Sequence, residues 1–121
     1  VATHKSDLEL IRENLSIMSW TEKKEDGLEQ YSKKNCKKAE TIILDLINQL
    51  EKVAENDFDR KEELIKQGVL NLNKLNASLD GSFIETSERE ELCDIFDNIA
   101  DAVGLNVQDY QDGIASKWRD W

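Results

Sequence analysis

An all-α fold, an up-and-down four-helix bundle with a short C-terminal helical turn, is predicted by three observations. Leu, Ile and Val recur at three- and four-residue intervals through most of the chain. Proline is absent and glycine occurs five times, so helices can run long and must end by capping, at glycine or by loss of periodicity. The 121 residues suffice for one domain, residues 1–121, with a continuous core that needs no metal or disulfide.

The first helix is expected near Ser6, an N-cap candidate with Glu9 three residues on and Asp7 in the first turn. Leu8, Ile11, Leu15 and Met18 then mark its buried face, and Thr21 to Gly27 reads as a charged bend. The second helix carries Cys36, Ala39, Ile43, Leu46, Leu50 and Val53 in one stripe. Leu28 and Tyr31 extend that stripe backwards, giving about 25 residues before Asn56-Asp57 ends it. The third starts around Asp59 as cap and places Ile65, Gly68, Leu72, Leu75 and Leu79 on one face. Asn76 projects onto that same face, where an interhelical hydrogen bond is expected for it, and Leu70 lies on the far side.

Asp80-Gly81 forms a turn, and Phe83-Ile84 is too short for more than a packed loop or an isolated extended pair. Ser87 and Glu90 have capping-box spacing, Glu88, Glu90 and Glu91 suit the positive end of a helix dipole, and Leu92, Ile95 or Phe96, Ile99 and Val103 form the fourth stripe. Gly104-Leu105 reads as a Schellman stop. A polar loop over Asp109 to Gly113 and a terminal turn with Trp118 and Trp121 follow, packed on the side of the bundle.

Sixteen Lys and Arg against 26 Asp and Glu leave a formal charge of −10, which disfavours nucleic acid and anionic membranes and admits a basic protein as partner. No apolar run reaches the ~18 residues of a membrane span, and Val-Ala-Thr-His-Lys lacks a signal-peptide core, so the expectation is cytoplasmic. A chain that begins with Val1 leaves a trimmed leader open. Cys36 and Cys93 are too few for a disulfide framework or a thiolate zinc site. Lys33, Lys34, Lys37 and Lys38 would favour a Cys36 thiolate, but its place on the apolar stripe predicts an inert, buried thiol.

Catalytic constellations are scarce. Glu85, Glu88, Glu91, Asp94 and Asp97 recur every third residue, and steps of about 300° fan them around the helix rather than onto one ion. Asp94, Asp97 and Asp101 do share a face. Glu91-Leu-Cys-Asp94 matches half of the metal-binding pattern of all-α nucleotide pyrophosphohydrolases, without the upstream Glu-x-x-Glu. The single histidine, His4, lies in an expected frayed terminus, which removes di-iron pairs and histidine-dependent nucleophiles. Asp112-Gly113 does not make a calcium loop, because Gln108, Tyr110 and Arg119 occupy ligand positions. The lysines from Lys33 to Lys38 are the sole basic patch, explained by ion pairs along the helix such as Glu29 with Lys33. No metal or cofactor is expected.

Leu72-Asn-Lys-Leu-Asn76, Gly81-Ser-Phe-Ile-Glu-Thr86, Glu88-Arg-Glu-Glu-Leu-Cys93 and Trp118-Arg-Asp-Trp121 together resemble a small bacterial family of uncharacterised helical proteins, over roughly the C-terminal half. The resemblance implies fold and bacterial origin rather than an activity. In general character the chain is also similar to the acidic, helical immunity proteins of toxin systems.

The leading expectation is therefore a noncatalytic protein-binding module, with Asp94, Asp97, Asp101, Trp118 and Trp121 as partner-binding residues and a basic protein, such as a toxin, as partner. One alternative is a Mg²⁺-dependent nucleotide hydrolase using Asp94 and Asp97 with Glu62 or Glu63. The other is a homodimeric bundle that buries Leu70 and the tail tryptophans across a two-fold axis.

Overall fold

The computed structural model describes residues 2–121, with side chains from residue 6 onward, so the side chain of His4 lies outside the described residues. Among them every regular element is helical and no strand occurs. Four α-helices, α1 (Ala2–Glu13), α2 (Lys33–Leu50), α3 (Phe58–Ser78) and α4 (Thr86–Ala102), are joined by turns and 3-10 segments. α2 packs along α3, α1 lies against α4, and the terminal 3-10 turn Ile114–Lys117 rests on α4.

The largest departure from the expected layout is the link between α1 and α2. α1 begins before Ser6 and stops at Glu13, where the Asn14 side chain donates back to the Leu10 carbonyl at 2.7 Å. Instead of a helix continuing through Met18, a 3-10 helix runs from Ile17 to Asp26 and packs on α2. The two geometries present different residues. At three residues per turn, positions three apart eclipse one another. Ile17, Trp20 and Lys23 therefore stand in a single row, with Ile17 and Trp20 buried. An α-helix would turn each successive member of that row ~60° further away. Gly27 closes the segment at φ 91°, a left-handed conformation that favours glycine, and lets the Leu28 N–H reach the Lys23 carbonyl.

α2 is shorter than its apolar stripe suggests. Ser32 has extended backbone and its hydroxyl accepts the Asn35 N–H at 3.1 Å, so the helix starts at Lys33. Tyr31 is left in a 3-10 turn, free to point inward. The α3 cap also shifts, to Asp57, whose carboxylate accepts the Arg60 N–H at 3.1 Å, with Asp59 inside the first turn. Capping at α4 falls two residues earlier than Ser87 and Glu90. Glu85 is the N-cap, and Glu88 reaches back to accept its N–H at 3.2 Å. The stop at Gly104 is as expected: φ is 87° and the Leu105 N–H reaches the Ala100 carbonyl at 2.9 Å.

The core is filled by Ile43, Ile47 and Leu50 of α2, Ile65, Val69 and Leu72 of α3, and Leu92, Phe96 and Ile99 of α4, with Leu8 from α1. Gly68 marks a close approach. A Cβ there would stand 3.2 Å from Leu46 Cδ2 and 3.4 Å from Phe96 Cε1, so α3 meets both neighbours at this point.

Phe83 and Ile84 form the packed loop expected, both buried, and Asn76 is what holds them. Its Oδ1 accepts the N–H groups of Phe83 at 3.0 Å and Ile84 at 2.8 Å. The expected interhelical bond is thus a helix-to-loop anchor. A loop without regular structure has no ladder for its buried amides, and one side-chain carbonyl satisfies two of them. Replacing Asn76 with Ala orphans both donors and is expected to cost about 3 kcal/mol in urea unfolding, whereas Asn76→Asp, which keeps an acceptor, should cost measurably less.

Candidate functional site

Two clusters of ionisable side chains stand out, one buried at the start of α4 and one on the surface where the C-terminal segment meets α4.

The buried cluster is centred on Glu88, whose side chain is 1% exposed. Lys23, at the end of the 3-10 row, forms an ion pair with Glu88 Oε2, and the Tyr31 hydroxyl lies 2.7 Å from Glu88 Oε1 and 2.9 Å from the Phe83 carbonyl. Rings enclose the group. Phe83 lies 5.5 Å from both Trp20 and Tyr31, edge-on to Trp20. One turn further along α4, Glu91 accepts the Trp20 indole N–H at 3.2 Å and the Ser16 hydroxyl at 3.0 Å. Burial pushes the Glu88 carboxyl up, but the hydrogen bonds from Lys23 and Tyr31, the Lys23 charge and the Glu85 N–H outweigh it and hold the group below the usual carboxylate range. The Tyr31 phenol is raised by burial and then by the carboxylate it faces. Every polar atom of this cluster that carries charge is thereby engaged by the chain itself. Its chemistry is that of a clamp, holding the 3-10 segment, the Tyr31 turn and the Phe83 loop on α4.

The surface cluster contains the acidic residues predicted for partner binding, and the structure treats them unequally. Asp94 and Asp101 are exposed and form no ion pair among the described residues. Asp97 is half-buried, and its Oδ1 accepts the Ile114 N–H at 2.9 Å. Gly113 makes this approach feasible: its φ is 92°, and a Cβ there would lie 2.9 Å from Asp97 Oδ2. Asp97 thus pins the C-terminal segment to α4. Trp121 is 8% exposed within the core and Trp118 is half-buried against it. Asn73 fixes this tail, donating to the Trp118 carbonyl at 3.0 Å and accepting the Asp120 N–H at 3.2 Å. Leu70 is half-buried.

The carboxylates that a Mg²⁺ site would require are not brought together. Glu62 accepts the Tyr110 hydroxyl, Glu63 accepts from Gln67 at 3.0 Å, and Asp97 holds the tail. Among the described residues no three His, Cys, Asp or Glu side chains form a group able to hold a metal ion. Cys36 is buried, and burial, with the Glu88 charge, raises its thiol to about 11, so the nearby lysines do not activate it. No described helix is long and apolar enough to cross a membrane.

Residues 22–121 match a family model, that of a family of unknown function, DUF5713. The chain belongs to DUF5713. The match contains Lys23, Tyr31, Phe83 and Glu88, so the buried clamp lies within the family region apart from Trp20, while α1 lies before it. It also reaches further toward the N-terminus than the C-terminal half on which the sequence resemblance rests. No match was found among curated proteins or among solved structures.

Two functional-looking groups escaped the sequence reading. Glu88 stands on the α4 stripe, four residues before Leu92 and eight before Phe96, and that register signals burial. Lys61 likewise precedes Ile65 by four residues. It is 1% exposed, donates to the carbonyls of Glu55 at 2.5 Å and Val103 at 2.8 Å, and lies under the Phe58 ring. It joins the α2–α3 link to the C-terminal end of α4, where a cation suits the helix dipole.

Because the folded Glu88 carboxyl is depressed, its contribution to stability is present above the ordinary value near 4.5 and disappears as pH falls through the lower folded value. Glu88→Gln is expected to lose about 2 kcal/mol at pH 7, less than for a fully enclosed pair because Lys23 can reach water. In urea melts from about pH 7 to pH 2, the variant should also lack this part of the wild-type acid destabilisation.

Proposed function

We propose that this DUF5713 protein is a noncatalytic, cytoplasmic interaction module, a four-helix bundle whose α4 and tail carboxylates dock a basic protein in the manner of an immunity protein covering the positive cleft of its toxin. The observation that supports the reading is the pair of exposed carboxylates Asp94 and Asp101 on one face of α4, beside the point where the Asp97 bond to Ile114 ties the tail to the helix. Asp94 and Asp101 are two helical turns apart on one line, about 10 Å, a spacing that suits two cationic side chains rather than one ion. Among the described residues Asp94 and Asp101 have no ion-pair partners, and a net charge of −10 adds a long-range field that steers a basic partner toward them. Trp118, half-buried, supplies aromatic surface at the edge of the tail, while Trp121 supports it from within.

The test is cross-linking of the tagged protein in cells of its source organism, comparing wild type with an Asp94→Lys/Asp101→Lys double variant. A basic protein should be recovered with the wild type, and its association with the purified double variant should be about tenfold slower at low salt, the difference narrowing as salt rises. Recovery of the same partners by both proteins, with equal association rates, excludes the acidic surface as the contact.

A further inference from the structure

The basic patch left aside by the acidic-surface reading lies on a groove. Along one side of the α2–α3 pair runs an open depression of about 590 Å³ with Ile42 and Leu75 in its floor and Lys34, Lys37 and Lys38 on its α2 rim. A second depression of about 230 Å³ shares Ile42 and Asn71 with it and continues past Asp45, Leu46, Leu64 and Gly68 to Gln49 and Arg60. The two make one channel. α2 advances from Lys34 to Gln49 while α3 runs back from Leu75 to Arg60, so the channel follows an antiparallel helix pair for about 22 Å at 1.5 Å per residue. That is four turns of a third helix. Gly68 lines its lower half at the point where α3 comes close to Leu46.

Charge identifies the occupant. Lys34 and Lys38 are exposed and pair with no carboxylate among the described residues, and Lys37 pairs only with Glu40, at 2.8 Å on the surface. Two unpaired cations, Lys34 and Lys38, beside Ile42 and Leu75 complement a ligand with an apolar face and anionic edges, while the far half carries one acid, Asp45, and one base, Arg60. The molecule as a whole, net −10, repels an extended polyanion or an anionic membrane, whereas a single helix brings its few carboxylates to the rim alone. A groove open to solvent along four turns suits a helix better than an enclosed small molecule. We infer that the α2–α3 groove is a docking site for an acidic amphipathic helix of a partner protein. Its lining includes no residue of α4 or of the tail, so it stands independently of the acidic surface.

The experiment uses a fluorescein-labelled synthetic helix with leucines at i, i+3, i+7 and i+10 flanked by glutamates, and a twin with lysines in place of the glutamates, titrated with the full chain. Anisotropy should show the acidic helix binding and the lysine twin at least about tenfold weaker. Lys34→Glu/Lys38→Glu should reverse that order. Reversal also shows that the variant is folded, since both positions are exposed. Ile42→Ser should weaken both helices. Equal affinity for the two helices, no binding of either up to about 1 mM, or an unreversed preference in the charge variant overturns the inference. So does sedimentation of a dimer that the charge variant dissociates, because a second copy then fills the groove.

Discussion

A carboxylate placed in the interior must be ionised and fully hydrogen-bonded, or neutral, and Glu88 is ionised. That constraint organises the N-terminal half of the molecule. Lys23 has to reach Glu88, which requires Ile17–Asp26 to coil at three residues per turn. Tyr31 has to present its hydroxyl, which requires α2 to begin after it, at Ser32. The Phe83 carbonyl lies within reach of the same hydroxyl, which sets the loop before α4. A single buried charge thereby fixes the conformation of three segments that hydrophobic packing alone would leave free to slide.

Asn76, Lys61 and Asp97 repeat this device at other joints. Asn76 holds the Phe83-Ile84 loop, Lys61 joins the α2–α3 link to the end of α4, and Asp97 ties down the tail. Each is a polar side chain on a helix whose partners are main-chain groups of an irregular segment. Helices satisfy their own backbone, whereas loops lying on a core need donors and acceptors from elsewhere. In this chain the connections are as specifically held as the helices they connect.

With its buried ionisable groups engaged internally, the molecule offers chemistry to others at its surface. Two surfaces of opposite sign remain, the carboxylates of α4 and the tail and the lysine-rimmed groove of α2 and α3. The acidic row was legible in sequence as Asp94, Asp97 and Asp101, because helical spacing alone places them near one another. That Asp97 serves the fold was not legible, since it depends on where the tail returns.

The amphipathic stripes of α2, α3 and α4, the turn at Asp80-Gly81 and the stop at Gly104 were determined by sequence alone, because they depend on neighbours within one or two helical turns. The length of α1, the 3-10 course of Ile17–Asp26, the first turns of α2 and α4 and the burial of Glu88 and Lys61 were decided only by the tertiary structure. At those places α-helix and 3-10 geometry differ little in local energy. What separates them is whether Lys23 meets a carboxylate that stands 65 residues away, and no local pattern carries that information.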